Sequence, residues 1–566
     1  MNSFKNKVVA VVEQALPATL LAQVDVNKLL EVPPDPQFGD YAFPTFSLAR
    51  HMRKAPALIA QELAAAIPTA SWLDEVKAVG GYLNFTINKA EMAQVVLQRV
   101  FTEGNRYGAC AMGDGQSVVI DFSSPNIAKP FAVGLIRTTV LGHALSRLFS
   151  FCGYKVERVN HLGDWGTQNG KWIVGWRLWG DEAKLQENPI KELLRLYVRF
   201  HQEAEENPQL EDEARQAFRQ LEEGDPEAYA LWSRFRALSI EEFKRVYARM
   251  GIEFDSYAGE AFYTDKMDKV VDMLKSKGLL VQSEGAGVVN LGDDLPPCLI
   301  LRSDGATLYP TRDLAAALYR WQQYEPVHVL YVVDVRQSLH FKQVFGVLAK
   351  AGCDWVDRYE HIAFGFIKFG DEVMATRKGN VIILEDVLDE AAARALAIMQ
   401  ERNPQLPNKE AIAQDVGIGA IIFRFLMYNR LKDISFDWES ALSFEGDTGP
   451  YVQYTHARAS SVLRKAGVQL KMDKLNIGLL NAAEEVALLR EIERFPAVVV
   501  ECVEARDPAG LAHHLLELCR AFNAFYHVHR VVGSESMHER LALVAATRTV
   551  IANGLHLLGL AAPEEM

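Results

Sequence analysis

The 566-residue chain has no CxxC pair: its six cysteines, Cys110, Cys152, Cys298, Cys353, Cys502 and Cys519, are scattered. That argues against a zinc knuckle and against a disulfide framework, and leaves them as small buried hydrophobes. No run of about 18 apolar residues is present, so no membrane-spanning helix is expected. The opening "MNSFKNKVVAVVEQAL" is amphipathic, because charges and Gln interrupt its apolar face, and does not read as a signal peptide. A cytoplasmic protein is expected. The chain also lacks internal repeats and low-complexity tracts. No GxGxxG follows a strand with an acidic residue about 20 positions on, which disfavours a dinucleotide oxidoreductase. Excess positive charge is missing too: the net charge is −13, unlike that of an indiscriminate nucleic-acid binder. Local basic clusters such as "HARASSVLRKAG" can still act within a Debye length of about 8–10 Å.

What is present is ordinary globular material, 49% hydrophobic and 23% charged, in a chain too long for one core. Three or more domains are expected. Residues 1–112 read as an α/β unit: a helix over about 3–16, turns in "PPDPQFGDYAFPTFSLARHMRKAP", a helical "APALIAQELAAAI" and an alternating strand "VKAVGGYLNFTIN". "SVVIDFSS" is a short β-branched run that suits a buried strand. A helix follows, with Gly153 at its C-terminal cap, and then the strand "YKVERVNHLGDWG". Strand, helix and strand within about 45 residues make a βαβ unit of a parallel sheet. "HVLYVVD" is a further strand, about 170–255 is charged and helical, and the pattern from about 385 onward is helical throughout.

Five segments carry chemistry. "SPNIAKPFAVGLIRTT" leaves a strand and opens a helix, where backbone N–H groups and a positive helix end can meet a phosphate, with Lys129 as a point charge and Gly134 allowing close approach. It fits an ordinary strand-to-helix connection equally well. "NHLGDWGTQNG" sets polar residues at a strand's carboxyl end, either facing a ligand crevice or supplying a helix cap and a core Trp. In "GATLYPTRDLAAALYRW", Tyr309 and Asp313 share one helical face, which suits a cationic ligand, while Thr311 or Asp313 could instead cap the helix. "VVDVRQSLHFKQ" offers Gln337, His340 and Gln343 past a strand end, and "VMATRKGNVI" is a short basic loop.

In register over about 530 residues, "FGDYAFPTFSLAR", "SPNIAKPF", "NHLGDWGTQ", "TLYPTRDLAAA", "QSLHFKQ", "TRKGNV", "GPYVQYTHAR" and "NGLHLLGLAAPEEM" resemble the arginyl-tRNA synthetases, a class I aminoacyl-tRNA synthetase family. The resemblance implies an N-terminal additional domain over 1–112 that contacts the tRNA elbow. It implies a Rossmann-type parallel-sheet catalytic domain over 113–384, with insertions near 170–240 and 265–305. A helical stem-contact and anticodon-binding region is implied over 385–566. It implies that L-arginine is activated with ATP, as the Mg2+ complex, to arginyl-adenylate and passed to the 3′ end of tRNA(Arg). In this family the first step characteristically needs bound tRNA. A monomer is implied, with no membrane and no tightly bound metal. The family's arginine pocket falls on Asp121, Ser124, Asn126, Tyr309, Asp313 and Gln337. Its ATP site falls on Ala132, Gly134, Leu135, His161, His340 and Met374, and its catalytic cations on Lys129 and Lys378. The chemistry agrees: a guanidinium is a permanent cation with a planar fork of donors, and Asp313 is its natural bidentate partner. Asp121 stands where the family more often has a longer Glu.

The chain departs from the family at the "HIGH" tetrapeptide, which here is Ala132, Val133, Gly134 and Leu135. Both imidazoles that donate to ATP phosphate oxygens are missing, and one lost donor costs about 10²–10³ in rate, roughly 3–4 kcal/mol. His143 lies eight residues along the helix, about 12 Å away and out of reach. Lys129, Arg137 and the helix N-terminus are the expected substitutes. "KMSK" is Val373, Met374, Ala375 and Thr376, without its leading lysine; in many relatives the upstream lysine, here Lys129, compensates. Asn169 replaces the Phe usual after "GTQ". Two readings follow: a ligase slowed at adenylate formation, or a catalytically impaired paralogue that binds arginine or tRNA in a regulatory role.

Overall fold

A computed structural model describes residues 4–369 and 382–566. The chain forms two compact units, one of residues 1–110, 455–497 and 514–553, the other of 111–454, 498–513 and 554–566.

In the first unit an antiparallel sheet runs in the order Tyr41–Pro44, Tyr82–Ile87, Leu73–Val79, with the helices Phe4–Ala15, Pro56–Ala66 and Lys89–Glu103. The predicted boundary near residue 112 falls close to the end of the first stretch. That stretch nonetheless packs with the C-terminal segments of its unit through buried polar contacts. Glu493 accepts from the Phe4 N–H (3.1 Å) and the Tyr41 hydroxyl (3.0 Å), and Tyr107 donates to the Ile492 carbonyl (3.0 Å). Arg490 pairs with Asp40, whose other oxygen accepts from the Ile87 N–H at 2.7 Å.

In the second unit a four-stranded parallel sheet has the order Tyr359–His361, His328–Tyr331, Ser117–Asp121, Lys155–Val159. Val118, Val119 and Ile120 are wholly buried, which is why "SVVID" reads as an unbroken apolar run. Each such side chain contributes about 1.5–3 kcal/mol. The crossovers leave Ser117–Asp121 in opposite directions, so the ends of that strand and of His328–Tyr331 form a topological switch point, where ligands of open α/β sheets bind. The helix Ile136–Phe151 is buried on nearly all sides. A Cβ at Gly142 would lie 2.2 Å from the Phe122 ring, so only glycine lets this helix sit so close to the strand exit. Gly153 ends the helix at φ 86°, as its predicted capping role requires.

The 170–255 stretch folds as the helices Thr167–Trp179, Glu182–Glu187, Pro189–Glu206, Gln209–Glu222 and Pro226–Arg249. Between residues 265 and 305 lie the helix Met267–Ser276 and an antiparallel sheet of Leu280–Ser283, Ala286–Val289 and Cys298–Leu301. The expectation of helix throughout from 385 is corrected at Ile434–Phe436, a strand that pairs in parallel with Ile367–Phe369. Three residues are too few for periodicity to reveal. The helix Met537–Leu558 is long and apolar enough to cross a membrane, but 72% of its most apolar window is buried inside the protein, so its apolarity serves the core.

Candidate active site

The loop after Ser117–Asp121 carries three non-glycine residues at positive φ: Ser123 (71°), Ser124 (50°) and Ala128 (56°). Such conformations cost about 1–3 kcal/mol each and persist only where the surroundings fix them. Here the Ser123 N–H donates to Thr138 Oγ1 (3.0 Å), and Ser123 Oγ lies 2.8 Å from Thr139 Oγ1 and 2.7 Å from the Tyr247 hydroxyl. Thr138 Oγ1 in turn donates to the Val332 carbonyl (2.6 Å), tying the exits of the two switch-point strands together. The Ala128 N–H donates to Ser239 Oγ at 2.8 Å.

Asp121 ends the strand and is nearly buried. It accepts from Ser124 Oγ (3.1 Å) and pairs at 2.7 Å with Arg320, whose side chain is 1% exposed. Arg320 Nη2 also stands 3.4 Å from His161 Nδ1, and His161 stacks on Tyr263 at 5.5 Å. Burial holds the His161 imidazole below its usual range, with Asp121 opposing and Arg320 reinforcing. Of the two carboxylates expected to meet arginine, Asp121 is therefore neutralised from within.

Asp313 lies on the helix Tyr309–Tyr324, four residues after the exposed Tyr309. Thr311, not Asp313, tends the helix start: its hydroxyl accepts from the Leu308 N–H (3.4 Å) and donates to the Ile300 carbonyl (2.6 Å). Asp313 Oδ2 is 2.6 Å from His340 Nε2. Burial would raise the Asp313 carboxyl, but the His340 hydrogen bond and the charges of His340, His161 and Arg320 hold it below the usual carboxylate range. Gln337 is exposed just before the helix Ser338–Lys350, and the exposed Asn126 rests its amide against Gly163. Gln343 is structural, donating to the Pro296 and Pro297 carbonyls.

The phosphate loop differs from its sequence reading. Ala132 bridges to Ile383, the Val133 N–H donates to the Ile382 carbonyl (2.9 Å), and the Leu384 N–H donates to the Phe131 carbonyl (2.8 Å). The N–H groups of Leu135 and Ile136 turn back onto Ala132 and Val133 in a 3₁₀ turn. Three amides expected to face an anion are thus already used, while Gly134 stays exposed. Arg137 is corrected as a substitute donor. It is buried and donates to the carbonyls of Gly365 (2.6 Å) and Asn429 (3.4 Å), with burial lowering it to about 10. Lys129 lies over an aromatic pair, 4.9 Å from the Tyr197 ring and 5.9 Å from Trp172. His143 is buried and accepts from Arg147 Nε (2.8 Å). Met374 and Lys378 lie outside the described residues.

In "NHLGDWGTQNG" the helix-cap and core-Trp alternative is corrected: the helix Thr167–Trp179 starts at Gly166 without a side-chain cap, and Trp165 is only partly buried. Asp164 accepts from Arg236 Nε (2.7 Å) and the Ala261 N–H (2.8 Å), and Trp165 packs edge-on against Phe218 and Trp232. Asn169 donates to the carbonyls of Asp164 and Gly166 within the same turn. Sequence reasoning missed Arg320 and the pair Arg312–Glu260 (3.1 Å). Arg320 follows Asp313 by seven residues on one helical face, a signal already inside the quoted motif; Glu260, at the start of the 3₁₀ helix Glu260–Lys266, had none. Burial pushes the Glu260 carboxyl up to about 7, with Arg312 opposing and Asp313 and Asp164 reinforcing.

Residues 96–438 match the family model of the class I tRNA synthetase (R) catalytic domain, 452–566 the DALR anticodon binding domain, and 3–87 the arginyl tRNA synthetase N-terminal domain. The chain is 47% identical over 569 residues to an arginine–tRNA ligase of Alkaliphilus metalliredigens, covering all of both. It is 48% identical over 546 residues to that of Clostridium perfringens, covering 96% of each. The structure superposes on Thermus thermophilus arginyl-tRNA synthetase with a TM-score of 0.85 at 29% identity, covering 99% of this chain and 100% of that one. These matches, spanning the whole chain, place it in the arginyl-tRNA synthetase family, the class I arginine–tRNA ligases.

Proposed function

We propose that the protein activates L-arginine with ATP, taken as its Mg2+ complex, and transfers the arginyl group to the 3′ end of tRNA(Arg). The observation that carries this reading is the charge pattern at the switch point. Arg320 neutralises Asp121 and Arg312 pairs with Glu260, whereas Asp313 is held below the usual carboxylate range and its direct side-chain contact is the His340 imidazole. A guanidinium, permanently charged and forked, is the ligand that matches such a carboxylate. Tyr309 and Gln337, exposed on either side in sequence, flank the substrate, and Ser124 and Asn126 meet its α-amino group. Asp121, committed to Arg320, acts through Ser124.

ATP lies along Ala132, Gly134 and Leu135 with His161 beside it, and Lys129 leaves its aromatic platform for the phosphates. Met374 and Lys378 complete this site. Residues 1–112 contact the tRNA elbow, 113–384 do the chemistry, and 385–566 contact the stem and anticodon. In the first of these, Phe46 and Tyr82 form an exposed aromatic pair 5.2 Å apart, with Arg50, Arg53 and Lys54 close by in sequence, a composition suited to stacking on nucleic acid. The protein works as a cytoplasmic monomer. The impaired-paralogue reading keeps one observation in its favour, the absence of histidine at 132 and 135. Arginylation of tRNA(Arg) by the purified chain decides: turnover with arginine alone among the amino acids supports the proposal, and arginine binding without turnover favours the paralogue.

A further inference from the structure

Two residues assigned by resemblance to different substrates, His340 to ATP and Asp313 to arginine, are joined at 2.6 Å. We propose that His340 is a positioning residue of the arginine pocket: its Nε2 holds Oδ2 of Asp313 so that Oδ1 faces the incoming guanidinium, and arginine binding is coupled to the charge on His340. This inference rests on the reading of Asp313 as the guanidinium partner.

The helix Ser338–Lys350 brings His340 to the carboxylate, and both side chains are only partly covered (21% and 28% exposed). From the Asp313 side the surrounding groups are His161, Arg320, the Arg312–Glu260 pair and the Cys298 thiol, which burial and Asp313 push up to about 12. From the other side the strand Tyr359–His361 brings His361, which stacks on Phe341 at 4.6 Å and donates from Nε2 to the Val333 carbonyl (2.9 Å). Asp334 and Arg430 are the remaining charges acting there. Burial holds His361 below its usual range. Imidazole is the side chain whose charge ordinarily changes between pH 5 and 8. A neutral imidazole with its proton on Nε2 donates to Oδ2 and fixes the carboxylate plane. An imidazolium is instead a second cation on the carboxylate that the substrate needs. Arginine therefore selects the neutral form, and in acid it displaces the His340 proton to solvent.

The test is calorimetric titration of the full chain with L-arginine at about pH 6 and about pH 8, in buffers of different ionisation enthalpy. Wild type should bind about 5–10-fold more weakly at the lower pH and release a proton on binding there. H340Q, whose amide can still donate to Oδ2, should keep its affinity at the higher pH within about 2-fold and lose both pH effects. H340L should bind about 10-fold more weakly at both pH values, and its KM for ATP should move less than its KM for arginine. Proton release persisting in H340Q, or H340L altering ATP rather than arginine, overturns the inference. D313N separates the two readings. If D313N binds arginine normally, or wild type binds none, the pocket assignment itself fails; if D313N alone weakens binding, only the role of His340 fails.

Discussion

The proposed arginine pocket and the proposed phosphate loop follow the same strand, yet they are built to different standards. At the proposed pocket Arg320 neutralises Asp121 and Arg312 pairs with Glu260, while Asp313 meets the His340 imidazole at 2.6 Å. The loop at Ala132–Leu135 offers no polar side chain and spends its amides on its own turn and on Ile382. On the proposed reading, arginine recognition needs these particular side chains, whereas phosphate contacts can pass to a nearby cation. The contrast shows why losing two imidazoles need not alter the fold or the amino acid chosen.

The largest effect should come from breaking the pocket. R320L leaves Asp121 buried without its partner, and chemical denaturation should show a loss of about 3–5 kcal/mol. A loss below about 1 kcal/mol would mean that water reaches this pair. Next, His143 tests whether any buried histidine backs up the loop. Burial, with Arg147 adding, lowers its imidazole to about 3, so it stays neutral in the folded protein while the unfolded chain takes up the proton. Its contribution is full above about pH 6.5 and is lost as pH falls toward about 3, up to roughly 4 kcal/mol. H143Q should flatten that acid sensitivity and leave the activation rate unchanged; a slower rate would return His143 to the site.

D313N should raise the arginine requirement about 100-fold, since a charge-assisted bond is worth about 1.5–3 kcal/mol and usually more when bidentate. Steady-state arginylation at varied arginine measures this, and an unchanged KM would discredit the pocket. Leu135→His should then raise the activation rate by about 10-fold or more, read by pyrophosphate exchange. No gain would show that the pairing with Ile382 has rebuilt the phosphate site. The smallest change is expected for Lys129→Ala, a rise of about 5-fold in KM for ATP with tRNA affinity intact. The opposite ranking would reassign this lysine to RNA.

The parallel sheet was legible because Val118–Ile120 are buried on both faces, and burial leaves an apolar run in the sequence. The helix carrying Asp313 was legible from its spacing. The engaged amides of the AVGL turn were not, because the strand-like partner at 382–384 is some 250 residues away and carries no local signal. Arg137 misled for the same reason: a buried arginine donating to two distant carbonyls looks like a free cation in one dimension. Asp121 was placed in the pocket by the resemblance alone; its partner, Arg320, comes from another element nearly 200 residues on and left no local signal.

The proposed arginine pocket lies beside a loop that has lost both imidazole donors. Arginine-dependent ATP–pyrophosphate exchange by the purified chain, with and without tRNA(Arg), tests most directly whether the two work together. Exchange should need both arginine and tRNA, be slow in wild type and be faster with Leu135→His. Tight arginine binding with no exchange in either protein, with tRNA present, would contradict this.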